Sequence, residues 1–335
     1  ICILNLELSM RNLLFKSRNI IFLCGVMINF LSSSANIPNG QDILLADPTI
    51  FYENGKYYLY GSTSGGADRT NKGFMVYESN DIFHWKPKGY ALSKGDAYGD
   101  YGFWAPQVFK NGEKYGMVYT ANENIAIAFS DSPLGPFRNE LKNYYKSNFK
   151  QLDPFVFFDN EIGYLYHTRR VHESNQIFVS ELNDDLRSIK EETLKKCIAT
   201  DQPWEGTDNM GPKSNQGPSV IKDNETFYMF YSANNFRSPK YAVGYATSTN
   251  PLGPWSKSDQ NPLIDSKLIN QNGPGHGDIF YDDKKNLKYV FHTHFSKNEV
   301  RPRRTGIISL FSDKELKKIN CEPRTFRFLK EIYSK

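Results

Sequence analysis

Five times along this chain the same short pattern recurs: an apolar strand, a turn containing Asn, Asp or Gly, then a tyrosine-rich strand. Thr49-Ile50-Phe51-Tyr52 runs through Glu53-Asn54-Gly55-Lys56 into Tyr57-Tyr58-Leu59-Tyr60. Later copies begin at Gln107, Phe155, Ser219 and Ile279, with turns around Gly112, Asn160, Asn224 and Asp283. Each reads as a β-hairpin, because Asn, Asp and Gly accept the positive φ that tight turns demand. A further strand-like stretch follows each hairpin, at 74–79, 125–130, 177–181, 241–246 and 307–310. Two of these lead into near-identical turns, Ser132-Pro133-Leu134-Gly135-Pro136 and Asn250-Pro251-Leu252-Gly253-Pro254. Units repeating at roughly 50–60 residues, each a small antiparallel sheet, predict an all-β, five-bladed β-propeller. A sandwich of unrelated hairpins would not repeat itself in this way. Long helices are not expected; only Asp313 to Lys318 reads as a helical turn or two.

Residues 1–35 read differently, as upstream residues and a secretion signal peptide. Met10 opens a basic region with Arg11, Lys16 and Arg18; Ile20 to Leu31 is apolar apart from Asn29; Ser33-Ser34-Ala35 offers small residues for cleavage. The apolar run is short for a membrane-spanning helix. The expectation is a secreted or periplasmic protein with no membrane span in the mature chain, and one propeller domain over 36–335. The formal net charge of +4 is small, and its Lys and Arg residues are scattered, so a nucleic-acid surface is not indicated. A monomer is expected. Within the propeller only Cys197 and Cys321 remain, which the sequence leaves open as a disulfide or two thiols.

Aligning the five hairpins on their first strand brings one set of residues into register. Just ahead of that strand lie Ala46-Asp47-Pro48, Trp104-Ala105-Pro106, Leu152-Asp153-Pro154, Gln216-Gly217-Pro218 and Gly275-His276-Gly277. If the first strand is innermost, these sites ring one mouth of the central channel. The ring then presents two carboxylates, an amide, an indole and an imidazole. A lone Asp-Pro is usually a turn opener; two at one blade position suggest chemistry. Trp104, beside Phe103, is placed to stack on a sugar ring or simply to fill core. His276 between two glycines suits a substrate-facing or ligating role.

These motifs together, from Leu45-Ala46-Asp47-Pro48 to Gly275-His276-Gly277, resemble glycoside hydrolase family 43, over about Asp42 to Ser312. That family comprises five-bladed propellers including arabinofuranosidases, β-xylosidases and arabinanases. The resemblance implies that Asp47 is the general base, that Asp153 orients and tunes the acid, and that position 216 carries the general acid. It also implies sugar contacts from Phe103, Trp104, His276 and either Arg303 or Arg304. No cofactor is required, although a structural calcium in the central channel, with His276 beside it, occurs in some members. Motifs of the sucrose-cleaving five-bladed relatives are absent.

Here position 216 is glutamine. Inversion needs one carboxylate to activate water and a second group to protonate the leaving oxygen, with the two about 6.5–9.5 Å apart. A carboxamide has no acidic proton to give at neutral pH, and general acid catalysis contributes typically about 10²–10⁴-fold. The expectation is therefore an inverting glycosidase acting on arabinose- or xylose-containing plant polysaccharide, with impaired cleavage. An α-L-arabinofuranosidase is preferred and a β-xylosidase comes next. The alternative is a catalytically inactive propeller that binds glycan. An engineered amide, a natural departure, or a substitute acid such as Glu205 or Asp208 all remain open at this point.

Overall fold

The computed structural model describes residues 40–63, 72–207, 210–211, 213–313 and 317–332; the segment read as an export signal lies outside them. Blade 1 comprises Ala46–Glu53, Lys56–Ser62, Gly73–Ser79 and His84–Ser93. Blade 2 has Trp104–Asn111, Lys114–Ala121 and Asn124–Ser130. Blade 3 has Gln151–Asp159, Ile162–Val171, Ser174–Glu181 and Lys195–Ile198. Blade 4 has Lys213–Asp223, Thr226–Ala233, Ala242–Ser248 and Ser256–Lys257. Blade 5 has Gly275–Tyr281, Leu287–Thr293, Arg304–Asp313 and Lys318–Phe328. Each first strand packs against the first strands of both neighbours, and the fifth packs against the first, so the ring closes. The hairpin turns use the predicted residues: Asn54, Asn160 and Asn224 all take left-handed backbone, at φ 51°, 48° and 53°.

Strand alternation explains why these strands read as nearly continuous apolar text. Side chains point alternately to the two faces of a strand, and here each face of a blade is covered by a neighbour. In blade 1, Tyr58 and Tyr60 face Tyr115, Met117 and Tyr119 of blade 2, while Tyr57 and Leu59 face Phe280 and Val290 of blade 5. Val118 and Ile127 of blade 2 turn the other way, onto Val156 and Leu165 of blade 3. Equivalent layers lie between blades 3 and 4, with Tyr166 against Met229 and Tyr231, and between blades 4 and 5, with Phe230 against Tyr289. The core is thus five aromatic-rich wedges, which is why tyrosine and phenylalanine dominate. Tyrosine also supplies a hydroxyl at the wedge edge. Tyr60 donates to the carbonyl of Pro133 and Tyr166 to that of Pro251, at 2.7 Å for the second, which ties each of the two Pro-Leu-Gly-Pro turns to the preceding blade.

The two ends of the described chain meet. Gln41–Asp42 pairs with Lys330–Glu331, which in turn lies parallel to His84–Ser93. Ile43 donates its N–H to the Leu329 carbonyl, Leu329 donates to Thr305 of blade 5, and Thr305 donates back to Ile43. Helix is confined, among the described residues, to the 3-10 turn Glu191–Thr193 and the short helix Ser266–Ile269, capped by Asp265. Of the helical turn expected over Asp313 to Lys318, residues 314–316 lie outside the described residues; Asp313 and Lys318 themselves belong to antiparallel strands and pair with each other. Cys197 and Cys321 are separate free thiols, packed in the wedges on opposite sides of blade 4. No described helix is long and apolar enough to cross a membrane.

Candidate active site

All five first strands carry a β-bulge at the same place. The residue at each bulge is left-handed: Asp47 (φ 48°), Ala105 (45°), Asp153 (55°), Gly217 (63°) and His276 (42°). For a non-glycine residue this conformation costs about 1–3 kcal/mol and persists only when the surroundings fix it. Here a belt of hydrogen bonds fixes it, running from each bulge N–H to the preceding blade. Ala105 donates to Ser62 Oγ (2.8 Å), Asp153 to Thr120 Oγ1 (3.0 Å) and His276 to Ser232 Oγ (2.8 Å). Gly217 donates to the Asp153 carboxylate. Asp47 closes the circle by donating to His292 Nδ1 at 3.1 Å.

The bulge circle therefore holds two carboxylates, a methyl group, a glycine and an imidazole. Trp104 and Gln216, expected in it, stand one residue earlier and form a second tier with Ala46, Leu152 and Gly275. At four of the five blades the tiers complement each other, blade 3 with Leu152 before Asp153 being the exception. Where the bulge side chain is large, as at Asp47 and His276, its predecessor is Ala46 or Gly275. Where the predecessor is large, as at Trp104 and Gln216, the bulge holds Ala105 or Gly217. Packing demands this: a Cβ on Gly217 would lie 2.7 Å from Cδ2 of His276.

Asp47 is the most constrained group. Its Oδ2 accepts from Ser62 Oγ at 2.5 Å, and its Oδ1 lies 3.2 Å from His276 Nδ1 and 3.4 Å from Arg303 Nη1. Burial pushes its pKa up, but the charges of His276 and Arg303 and the Ser62 hydrogen bond outweigh burial and hold it well below the usual carboxylate range. His292, wholly buried, is held neutral chiefly by burial, which lowers its pKa well below the ordinary value. Asp153 behaves oppositely. Burial, reinforced by the charge of Asp47, raises its pKa above the ordinary value despite His276, a bond from Thr168 Oγ1 (3.2 Å) and the Gly217 N–H. One carboxylate is thus kept ionised and the other is biased toward its acid form.

Gln216 is held by three neighbours. Its Oε1 accepts from Ser214 Oγ (2.8 Å) and Asn175 Nδ2 (3.3 Å), and its Nε2 donates to Tyr241 OH (2.8 Å). Asn175 arrives because Ser174–Glu181 runs parallel to Lys213–Asp223 and pairs Asn175 with Ser214. Tyr241 is fully buried, stacks on His292 and also hydrogen-bonds Ser232. The amide is therefore wired into the same belt that fixes His276.

Asp47, Trp104, Asp153, Gln216, His276 and Arg303 all line one cavity of about 650 Å³ at the mouth of the channel. Phe103 does not. It is wholly buried between Phe74 and Tyr119, so the expected sugar contact is instead a core residue of the wedge between blades 1 and 2. Of the two arginine candidates, Arg304 is turned away, pairing with Asp42 and lying over Phe328. Glu205 is not a substitute acid in the cavity. It is 4% exposed and binds Lys257 Nζ (2.7 Å), Tyr231 OH (2.8 Å) and two backbone N–H groups behind blade 4. Asp208 lies outside the described residues.

Residues that the sequence did not single out complete the wall: Tyr101, Arg170, Asn175, Phe236, Arg237 and Arg301. Arg170 lies at the end of its second strand, and Phe236 and Arg237 follow theirs, at the same mouth as the bulges, so extending the repeat alignment to the far end of each hairpin would have found them. Below the bulges the channel narrows to a space of about 20 Å³ that Asp47, Asp153, His276 and Asp278 border. The calcium expectation does not fit these residues. Among the described residues no three His, Cys, Asp or Glu side chains are grouped to hold a metal, and the carboxylate beside His276 is already paired with Arg303.

Residues 42–312 match the family model described as glycosyl hydrolases family 43. Among solved structures, an endo-1,4-β-xylanase from Bacteroides thetaiotaomicron is 37% identical with a TM-score of 0.81, covering 88% of this chain and 99% of that one. A thermostable family-43 glycoside hydrolase is 32% identical with a TM-score of 0.76, covering 85% and 95%. Among characterised sequences, a β-D-galactofuranosidase of Aspergillus niger is 23% identical and covers 78% of each chain. An extracellular endo-α-(1→5)-L-arabinanase of Bacillus subtilis is 24% identical, covering 87% of this chain and 74% of that one.

Proposed function

The chain belongs to glycosyl hydrolases family 43, and on that premise we propose that it is an inverting glycosidase whose acid position is occupied by an amide. Its substrate is an arabinose- or xylose-containing plant polysaccharide, with α-L-arabinofuranoside preferred and β-xyloside next. We place it outside the cytoplasm as a monomer. The observation that carries this reading is the convergence of an ionised Asp47, a pKa-raised Asp153 and Gln216 on one cavity.

Asp47 acts as general base: a carboxylate kept ionised by Arg303 and His276 takes a proton from the attacking water. Asp153 holds the backbone beside position 216 through the Gly217 N–H and, as a neighbouring carboxyl, would raise the pKa of an acid there. Gln216 donates a hydrogen bond to the leaving oxygen without transferring a proton. Substrate binding and water activation are retained, and leaving-group protonation is not. The amide also favours a second reading, a propeller that captures glycan without cleaving it. Relatives that act on arabinan, xylan and galactofuranosides support the substrate class only broadly.

The test compares this chain with Gln216→Glu on aryl α-L-arabinofuranoside, aryl β-D-xyloside, arabinan and arabinoxylan. The variant should cleave polymer about 10²–10⁴-fold faster. The gap should shrink on glycosyl fluorides, whose leaving group needs little protonation. Equal rates for the two proteins on polymer would sink the assignment of position 216. Glycan binding without cleavage by either protein would favour the capture reading.

A further inference from the structure

The cavity mouth is lopsided. On the blade 2 side stand Tyr101 and Trp104, with the indole laid across Gly102, where a Cβ would come within 3.1 Å of it. Further round the ring blades 3, 4 and 5 each contribute a guanidinium to the wall: Arg170, Arg237 and Arg301. All three are exposed, whereas the carboxylates among the lining residues, Asp47 and Asp153, lie deep in the bulge circle. Asp47 is moreover engaged by His276 and Arg303.

The three cations of blades 4 and 5 are held close together. Arg237, Arg301 and Arg303 lie 4.7, 5.5 and 5.0 Å from the centroid of the Phe236 ring. The backbone of Phe236 is anchored by His294 Nε2 on its carbonyl at 2.9 Å. Cation–π attraction accounts for each contact singly, yet like charges gathered on one ring repel; Arg303 has the Asp47 carboxylate as counter-charge, and an anion bound beside Arg237 relieves the remainder. Among the described residues no carboxylate lies within ion-pair distance of Arg237, and Arg170 reaches only the 93%-exposed Glu173 at 3.8 Å. A neutral pentose polymer offers hydroxyl groups, for which three guanidinium groups are poorly matched. Carboxylate and sulfate oxygens suit the planar, forked donor of arginine.

We infer that the mouth of this cavity receives an anionic substituent of the glycan, a uronic acid carboxylate or a sulfate half-ester, against Arg170, Arg237 and Arg301. The neutral sugar rings lie toward Tyr101 and Trp104. This rests on the cavity being a glycan site, as proposed above, and it names a class of substrate: acidic rather than purely neutral cell-wall polysaccharide. Because no proton transfer is involved, the preference is a property of binding and exists with Gln216 in place.

The experiment is calorimetric titration of the full chain with three probes. These are neutral arabino- and xylo-oligosaccharides, the same backbones bearing a uronic acid branch, and sulfated counterparts. At low salt an acidic probe should bind roughly tenfold tighter than its neutral parent, as expected for a charge-assisted contact. The preference should fall as salt rises. Carboxyl reduction or desulfation of the probe should abolish it and identify which anion is read. In Arg170→Gln/Arg237→Gln the ratio of acidic to neutral affinity should fall to near one. Equal binding of acidic and neutral probes by the unaltered chain overturns the inference and leaves the glycosidase reading standing. A preference that survives both salt and the double variant also overturns it. Failure of every glycan to bind overturns both readings together.

Discussion

Asp278 sits in the narrow channel beneath the bulge circle, 7% exposed, with Thr49 Oγ1 donating to its Oδ2 at 2.5 Å and, among the described residues, no partner for its Oδ1. Burial raises its pKa from 3.8 to about 7, against the Thr49 bond and the Ile279 N–H. The replacement Asp278→Asn keeps the shape and removes the titration. The sign follows from proton counting. Between about pH 4 and 7 the folded state holds a proton on Asp278 that the unfolded state has lost, so this residue makes stability fall as pH rises. Above pH 7 the full ionisation penalty is felt: a separation of about three pKa units corresponds to on the order of 4 kcal/mol. Other groups titrate nearby. Buried neutral histidines, His167 and His292, give stability that is lost as pH falls below about 6.5, an opposite slope. Asp47, Asp153 and His276 border the same space. The informative quantity is therefore the difference between variant and parent. Guanidinium denaturation at pH 4.5, 6 and 8 should show the smallest gap, about 1 kcal/mol, at the lowest pH. The variant should then gain progressively, by up to about 4 kcal/mol at pH 8. A difference that does not change with pH would show that Asp278 is not the proton holder its surroundings make it.

Two further outcomes are expected elsewhere in the fold. Lys257→Met should lower the denaturation midpoint by the equivalent of about 3–5 kcal/mol, because it leaves Glu205 buried without its cation; the double change with Glu205→Gln should restore part of it, and an unchanged midpoint in the single variant would contradict the pairing. Arg303→Met in the Gln216→Glu background removes a charge that holds Asp47 ionised, so burial should move the acidic limb of the pH–rate profile to higher pH. A uniform fall in kcat/KM with the limb unmoved would make Arg303 a sugar contact alone.

The hairpins were legible because each blade obeys local rules: left-handed Asn in the turns and apolar residues on both strand faces. Position within the site was less so. The motifs Trp104-Ala105-Pro106 and Gln216-Gly217-Pro218 align correctly with the two Asp-Pro motifs, but the eye goes to the large side chain. The bulge places the small one in the circle. Nothing in the local text says that Phe103 turns inward while Trp104 turns outward, since both fates suit an aromatic; only the wedge beside Tyr119 decides it. Arg170 was hidden by its neighbour. Arg169 folds back to donate to buried His167 at 2.8 Å, which leaves the second arginine at the cavity. Glu205 looked like an acid because it lies just ahead of blade 4, and only the tertiary contact with Lys257 reveals a structural carboxylate.

The hydrogen-bond belt has a consequence in time. Asp47 belongs to the first blade, but the imidazole that receives its N–H lies 245 residues further on, and Arg303 lies 256 residues further on. During synthesis its carboxylate is therefore made long before either partner. Until the fifth blade meets the first, Ser62 of its own blade is the partner at hand, and neither cation is. Contacts of such separation are slow to form. The acidic group on which water activation depends thus acquires its low pKa at the last step of assembly, and a chain stalled with an open ring would carry an ordinary surface aspartate at position 47.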